Sequence, residues 1–423
     1  MNYFIETIGC QMNVCESGRL GLALSKYGVS RADVLQKADI IILNTCSVRA
    51  QAEQKAFSFL GRAERFKEGN PYIKIVVVGC MAERISSKIK RRFKSVDLIV
   101  GAKDINSAAL KIADLCSLSL DSSILGKAGT ASASSNIVEY VTIMRGCNNY
   151  CSYCVVPFVR GAEKSLNVAD ILKECSSAAK KGAKEIMLLG QNVNSYRYHD
   201  VNFTSLLKEV EKIEGLERVS FMTNHPKDLS SELIDLMAAS SKICSHIHLP
   251  MQSASDKILK MMNRNYTCEY YTRLVKKLRA AITDVSITTD IIVGFPGETD
   301  EDFKETLTAV KDIRFNGLYV FKYSPRPGTK AASLPDNVPL EEKKRRHRTV
   351  LEESNKISAE ITASMVGTVQ HVLAEEIGGG IIEGVTKNGH RVFIKTGNER
   401  DLGRHLDVII KKAKINSLFG DII

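Results

Sequence analysis

The residues of this 423-residue chain best suited to chemistry are cysteines. Cys147, Cys151 and Cys154 stand in C-x3-C-x2-C spacing within RGCNNYCSYC, just after the strand-like run VEYVTIM. Three thiolates from one tight loop can grip three irons of a cubane cluster and leave the fourth iron without a protein ligand. An iron left open in this way is where a small molecule can coordinate. Zinc is the competing reading, but structural zinc takes four closed ligands, commonly as two C-x2-C pairs, and no fourth Cys or His lies nearby in sequence. A closed ferredoxin-type cluster lacks its fourth ligand for the same reason. Coincidental spacing is the third alternative.

Cys10, Cys46 and Cys80 form a second set, each following a strand-like run: YFIETIGC, ADIIILNTC and KIVVVGC. Open α/β sheets bind ligands beyond the carboxyl ends of their strands, so three cysteines placed there converge on one site. They read as a second three-thiolate set. The alternative is three ordinary buried thiols, since free cysteine is among the most buried residue types. Cys15, Cys116, Cys175, Cys244 and Cys268 share no spacing and read as structural.

The elements that must carry these cysteines follow from the apolar pattern. Unbroken β-branched runs alternating with helical stretches over residues 1–116 give an open parallel α/β sheet. Residues 117–136 are small and polar and read as a linker. From Val138 six further strand-like runs (VEYVTIM, EIMLLG, RVSFMT, SHIHLP, SITTDIIVG and GLYVFKY) alternate with helical segments, as in a partial (β/α)6 barrel within residues 137–364. Residues 365–423 carry four short strand-like runs split by Gly and Asn, as in a small OB-like β-barrel. The fold class is therefore multidomain α/β.

Composition narrows the setting. A 44% hydrophobic chain of this length supports two or three cores. Neither a run of 18 apolar residues nor a basic-then-apolar leader appears, so a cytoplasmic protein with no membrane partner is expected. Eleven cysteines in that setting favour metal ligation over disulfides. The net charge of +11 favours a polyanionic partner such as nucleic acid.

An ordered set of motifs resembles the radical-SAM methylthiotransferases over essentially the whole chain. It comprises GCQMN, LNTCSVR, VVGCMAE, RGCNNYCSYCVVPFVRG, LLGQNVNSY, TNHP, HLPMQS, IVGFPGET and SPRPGT. Gln11 and Met12 stand where the threonylcarbamoyladenosine branch tends to read G-C-K-x-N and the ribosomal-protein branch G-C-P-K-N. They point to the branch acting on N6-dimethylallyladenosine in tRNA; the threonylcarbamoyl substrate and a non-enzymatic iron-sulfur RNA-binding or redox module are the alternatives. The resemblance implies two [4Fe-4S] clusters, a radical-SAM one on Cys147, Cys151 and Cys154 and an auxiliary one on Cys10, Cys46 and Cys80. S-adenosylmethionine (SAM) would sit on the open iron of the first and yield a 5′-deoxyadenosyl radical, while the second presents the sulfur. No catalytic residue beyond the cluster ligands is implied.

Tyr153, Gly190, Gln191, Thr223, Gln252 and Asp290 are the candidate SAM contacts, with the last three expected at strand ends. The C-terminal barrel resembles a TRAM RNA-binding domain. Having only two aromatics, Phe393 and Phe419, it suits phosphate contact more than base stacking, through Lys387, Arg391, Lys395, Arg400, Arg404, Lys411, Lys412 and Lys414. The basic runs 88–94 and 341–348 are further candidate backbone contacts. Expected partners are the tRNA anticodon stem-loop and an electron-donating reductase, flavodoxin or ferredoxin, with the chain itself a monomer.

Overall fold

The computed structural model describes residues 1–47, 50–120, 137–395 and 397–423. Most of the expected linker thus lies outside the described residues. The chain forms two compact units. The first contains the described residues up to Leu120 together with 145–148 and 154–164, and the second contains the rest.

The first unit is built on a parallel sheet of β1 (Asn2–Ile8), β2 (Ser30–Arg31), β3 (Ile40–Thr45), β4 (Lys74–Gly79) and β5 (Leu98–Gly101), in the order β2-β1-β3-β4-β5. Helices α1 (Gln11–Ser25), α2 (Ala50–Gly69) and α3 (Cys80–Arg92) connect the strands, and α4 (Ala108–Leu115) follows β5. Ile40 to Leu43 and Val76 to Val78 are fully buried, which is why these runs lack alternation: both faces of the sheet are covered. Each such side chain contributes about 1.5–3 kcal/mol of burial. Ile41, Leu43 and Val77 pack on one face and Ile40, Ile42, Val76 and Val78 on the other. The sequence pattern marks three of the five strands; β2 and β5 are too short to show one.

The same unit also holds α5 (Val156–Arg160), which follows directly from Cys154. In the second unit six parallel strands form two three-stranded sheets. One is β12-β9-β6, from β6 (Val138–Thr142), β9 (Glu185–Leu189) and β12 (Arg218–Phe221). The other is β13-β14-β15, from β13 (His246–His248), β14 (Ser286–Val293) and β15 (Gly317–Lys322). Short strands β7 (Met144–Arg145), β8 (Lys164–Ser165), β10 (Arg197–Tyr198) and β11 (Val201–Asn202) lie in the connections. A bridge between Val219 and Ile243 links the two sheets into the partial six-unit barrel. Alternate residues such as Ile186, Leu188, Val219, Phe221, Ile287 and Ile291 pack outward against α6 (Val168–Lys180), α7 (Phe203–Glu211), α8 (Ser231–Ala239), α10 (Cys268–Ala281) and α11 (Asp300–Ile313), while α9 (Asp256–Met261) follows β13.

The charged run after β15 forms α12 (Leu340–Ala363), which leads into a closed barrel. Its strands β16 (Val369–Gly378), β17 (Ile381–Thr386), β18 (Arg391–Ile394), β19 (His405–Lys414) and β20 (Ser417–Ile422) take the order β16-β17-β18-β20-β19. Only β18 and β20 pair in parallel. That is the closed OB-like arrangement, with β20 added to the four runs read from sequence. This barrel docks at the amino ends of the six strands. Arg218, 2% exposed at the start of β12, donates to Val385 O at 2.6 Å, and Ser245 N–H donates to Lys387 O at 3.2 Å. In βα barrels ligands bind at the opposite, carboxyl ends of the strands.

Candidate functional site

In the first unit each cysteine of the N-terminal set follows a strand end by one or two residues: Cys10 after β1, Cys46 after β3 and Cys80 after β4. A network of buried asparagines ties these ends together. Asn13 Oδ1 accepts from Cys10 N–H at 3.3 Å, while Asn13 Nδ2 donates to Asn44 Oδ1 at 2.9 Å and to Thr45 O at 3.2 Å. Asn44 returns a bond to Asn13 O at 2.9 Å, and Thr45 Oγ1 donates to Val78 O at 2.7 Å. The turn into α3 passes through Gly79 at φ 98°, where a Cβ would lie 2.6 Å from both Asn44 Oδ1 and Thr45 O. Only glycine fits there.

Cys46 and Cys80 are buried and Cys10 is exposed, so the set is open on one side. Burial pushes the Cys80 thiol up to about 12; Arg160 opposes that, and Cys46, Glu16 and Cys10 add to it. Arg160 is held by Glu16, with Nη1 at 2.7 Å from Oε1, and Arg145 Nη1 lies 3.1 Å from the same oxygen. Val159 on α5 packs against Cys80 and Ala102. The segment that leaves Cys154 therefore ends on the N-terminal cysteine set.

The C-x3-C-x2-C loop has all three cysteines half-buried. Gly146, at φ 75°, lets the chain pass Ala162, whose carbonyl oxygen would sit 2.1 Å from an added Cβ, and Cys147 N–H donates to Gly161 O at 3.3 Å. Cys151 Sγ accepts from Arg264 Nη1 at 3.6 Å. Among the described residues no group of three or more His, Cys, Asp or Glu converges on a single metal ion. A cubane places each thiolate on a different iron, so its ligands need no such convergence, and two sets of three cysteines suit that donor chemistry.

Four of the six candidate SAM residues follow the carboxyl ends of barrel strands, Tyr153 lies in the cysteine loop, and Asp290 needs a correction. Gly190 and Gln191 follow β9, and Thr223 follows β12 at φ 66°, donating through Oγ1 to Gly190 O at 2.6 Å. Gln252 follows β13 at φ 72°, and its N–H donates to Asp290 O at 2.8 Å. Positive φ at two non-glycine residues is strain of the kind concentrated at binding sites. Asp290, expected at a strand end, is instead the fifth of eight residues of β14, which runs three residues past it. Its Oδ2 lies 3.5 Å from His248 Nε2. Tyr153 packs its ring against the cluster of Ile258, Met262, Phe295, Tyr323 and Ala331.

Among the described residues, four buried polar atoms near these strand ends have no hydrogen-bond partner: Asn192 Oδ1, Asn224 Oδ1, His225 Nε2 and Gln252 Oε1. Buried polar atoms cost stability unless satisfied, so orphans gathered at a barrel mouth fit a polar ligand such as SAM. Burial, with help from Arg264 and Lys227, lowers His225 to about 2. Its Nδ1 accepts from Lys227 N–H at 3.2 Å, which leaves the proton of the neutral ring on Nε2. Asn13, Asn44, Glu16, Arg160, Asn192, Asn224, His225 and Arg264 were not singled out from sequence. Six of the eight lie in the quoted motifs, next to residues that were.

On the small barrel Phe393 and Phe419 stack on each other at 5.3 Å on the outer face, with Lys414 Nζ 5.3 Å from the Phe419 ring. They line a cavity of 440 Å³ with Lys395, Lys411 and Lys412. Lys387 instead turns to the larger barrel, donating to Ser240 O at 2.9 Å. Within the run 341–348 Lys343 and Arg346 are buried in ion pairs, the first with Asp336 and the second with Glu298, Asp300 and Glu342, whereas Arg345 pairs with Glu342 at the surface.

Comparison with known proteins agrees with this architecture. Residues 2–101 match the Uncharacterized protein family UPF0004, 141–310 the Radical SAM superfamily and 363–423 the TRAM domain. A radical S-adenosylmethionine methyltransferase, TsrM from Kitasatospora setae, shares the fold at a TM-score of 0.57 and 13% identity, over 89% of this chain and 79% of that one. The tRNA-2-methylthio-N(6)-dimethylallyladenosine synthase of Endomicrobium trichonymphae is 64% identical over 100% of both chains. That of Thermodesulfovibrio yellowstonii is 44% identical over 99% of this chain and 98% of its own. With full-length identity at this level, the chain belongs to the tRNA-2-methylthio-N(6)-dimethylallyladenosine synthase family.

Proposed function

We propose that this protein inserts a methylthio group at carbon 2 of N6-dimethylallyladenosine beside the anticodon of tRNA, using one SAM as methyl donor and a second as radical source. The observation that carries the reading is the packing of Val159 on Cys80, because it joins the segment leaving one cysteine set to the other set. Sulfur insertion at an unactivated carbon requires both a radical and a sulfur source, and two open three-thiolate sets supply one site for each. On this reading Cys147, Cys151 and Cys154 hold the radical-SAM [4Fe-4S] cluster, and Cys10, Cys46 and Cys80 hold the auxiliary one. When bound, these groups supply the electron and the sulfur.

The remaining assignments concern this chain's own residues. Gly190, Gln191, Thr223, Gln252 and Asp290 bind SAM at the barrel mouth, with Tyr153 beside it. Glu16 holds Arg160 so that its charge faces Cys80 and offsets the negative charge gathered there. The outer face of the small barrel holds the tRNA backbone, leaving the target base splayed out. The domains run 1–116, 137–364 and 365–423, with the linker 117–136 between the first two. The protein works as a cytoplasmic monomer reduced by a reductase, flavodoxin or ferredoxin.

The test is anaerobic incubation of reconstituted, reduced protein with SAM and tRNA carrying either N6-dimethylallyladenosine or threonylcarbamoyladenosine, followed by nucleoside mass spectrometry. The expected product is the 2-methylthio form of the first only. Methylthiolation of the second alone would overturn the substrate assignment, and absence of 5′-deoxyadenosine with both would overturn the radical reading.

A further inference from the structure

The segment Met261–Arg264 straps the middle of the cysteine loop within the second unit. Ser152 N–H donates to Met262 O at 2.9 Å and Ser152 Oγ to Met261 O at 2.8 Å. Asn263, held at φ 57°, donates through Nδ2 to the carbonyls of Asn149 and Tyr150, both at 3.0 Å. Ala331 N–H adds a bond to Ser152 O at 2.7 Å. These bonds flank Cys151 on both sides, so its position is set by the protein.

Arg264 completes the strap in an unusual state. It is 7% exposed, and its guanidinium donates from Nε to Tyr266 Oη at 2.9 Å, from Nη2 to Pro250 O at 2.7 Å and from Nη1 to Cys151 Sγ at 3.6 Å. The cation also lies 5.1 Å from the Tyr266 ring centroid. Among the described residues none of its partners is a carboxylate. A guanidinium cannot shed its proton, and burying its charge without a counter-charge is costly. Of these partners, the one that becomes an anion when it serves as a cluster ligand is the Cys151 sulfur.

We infer that Arg264 is a positioning residue for Cys151, donating a charge-assisted hydrogen bond to its thiolate and raising the reduction potential of the cluster that this thiolate holds. The inference rests on the reading that Cys147, Cys151 and Cys154 carry a [4Fe-4S] cluster. One-electron reduction adds a negative charge to that cluster. A fixed positive charge and an N–H···S bond stabilise the reduced form more than the oxidised one. Tyr266 Oη, itself donating to Met251 O at 2.8 Å, keeps the guanidinium plane turned toward the loop.

The experiment is a dithionite titration with redox mediators, followed by electron paramagnetic resonance. It uses full-length protein carrying Cys10→Ala, Cys46→Ala and Cys80→Ala, so that only the loop cluster reports. Arg264→Gln is expected to shift the midpoint potential to more negative values at equal iron content, with Arg264→Lys between it and the parent. In a chain with Cys147, Cys151 and Cys154 replaced by Ala, Arg264→Gln should leave the remaining cluster's potential unchanged. A parent-like potential in a fully loaded Arg264→Gln protein, or an equal shift in both backgrounds, would overturn the inference. Should Arg264→Gln fail to load iron, Arg264→Lys decides: a negative shift upholds it and the parent potential overturns it. A parent that binds no iron at the loop refutes the cluster reading itself, which iron analysis shows before any titration.

Discussion

At the scale of single residues, small polar groups matter as much as thiols. Asn13 is fully buried and bonds both to Cys10 and to the end of β3. Asn13→Ala removes both bonds and strands Asn44 Oδ1, so it should cost about 1–3 kcal/mol in urea denaturation and lower the iron bound by the N-terminal set. Asn13→Asp, which keeps the acceptor for Cys10 N–H and loses the donors, should retain more iron than the alanine variant. Gly146→Ala should lower the melting temperature, since it forces a Cβ against Ala162 O at positive φ. The cysteines were legible because their spacing and their places after apolar runs are local properties. Glu16 and Arg264 were not, because their partners lie 129 and 113 residues away and nothing local marks them; Arg160 lies inside a quoted motif, but its partner Glu16 is 144 residues away.

At the scale of elements, strands are read most securely where they are buried on both faces. Runs such as IIIL in β3 and IVVV in β4 announced themselves, and Ile41→Ala should cost about 2–5 kcal/mol in the first unit. Charged segments were harder, because only the fold decides whether a cation faces solvent or a carboxylate. In α12 that decision rests on Glu298, Asp300 and Asp336, residues of other segments. Burial likewise decides Glu375 on β16. With Glu185 close by, it raises the Glu375 carboxyl to about 7, above its ordinary 4.5. A raised folded value means the folded state holds this proton more tightly. Its stabilising effect is complete below about pH 4.5 and is lost as pH rises through 7. Thermal melts of Glu375→Gln against the parent should therefore show the variant gaining more at pH 8 than at pH 5; a difference independent of pH would contradict this.

At the scale of the whole molecule, three segments legible in order along the sequence became a cysteine-bearing sheet, a partial barrel and a closed small barrel. The order of motifs made the family legible; the docking of the small barrel through Arg218 was not, since its acceptors are backbone carbonyls that carry no sequence signal. With net charge +11, tRNA affinity should fall steeply with salt. Replacing Lys395, Lys411 and Lys412 by Ala should reduce the slope of log K against log salt by about 0.7–0.9 for each phosphate no longer neutralised. An unchanged slope would remove this face from the tRNA interface. The proposed function divides the labour between two cysteine sets, one for radical formation and one for sulfur. Its most direct measurement quantifies 5′-deoxyadenosine and 2-methylthio nucleoside together in anaerobic assays of protein carrying Cys10→Ala, Cys46→Ala and Cys80→Ala. With the two roles divided in this way, 5′-deoxyadenosine should persist while the methylthio product vanishes; undiminished methylthio product would contradict it.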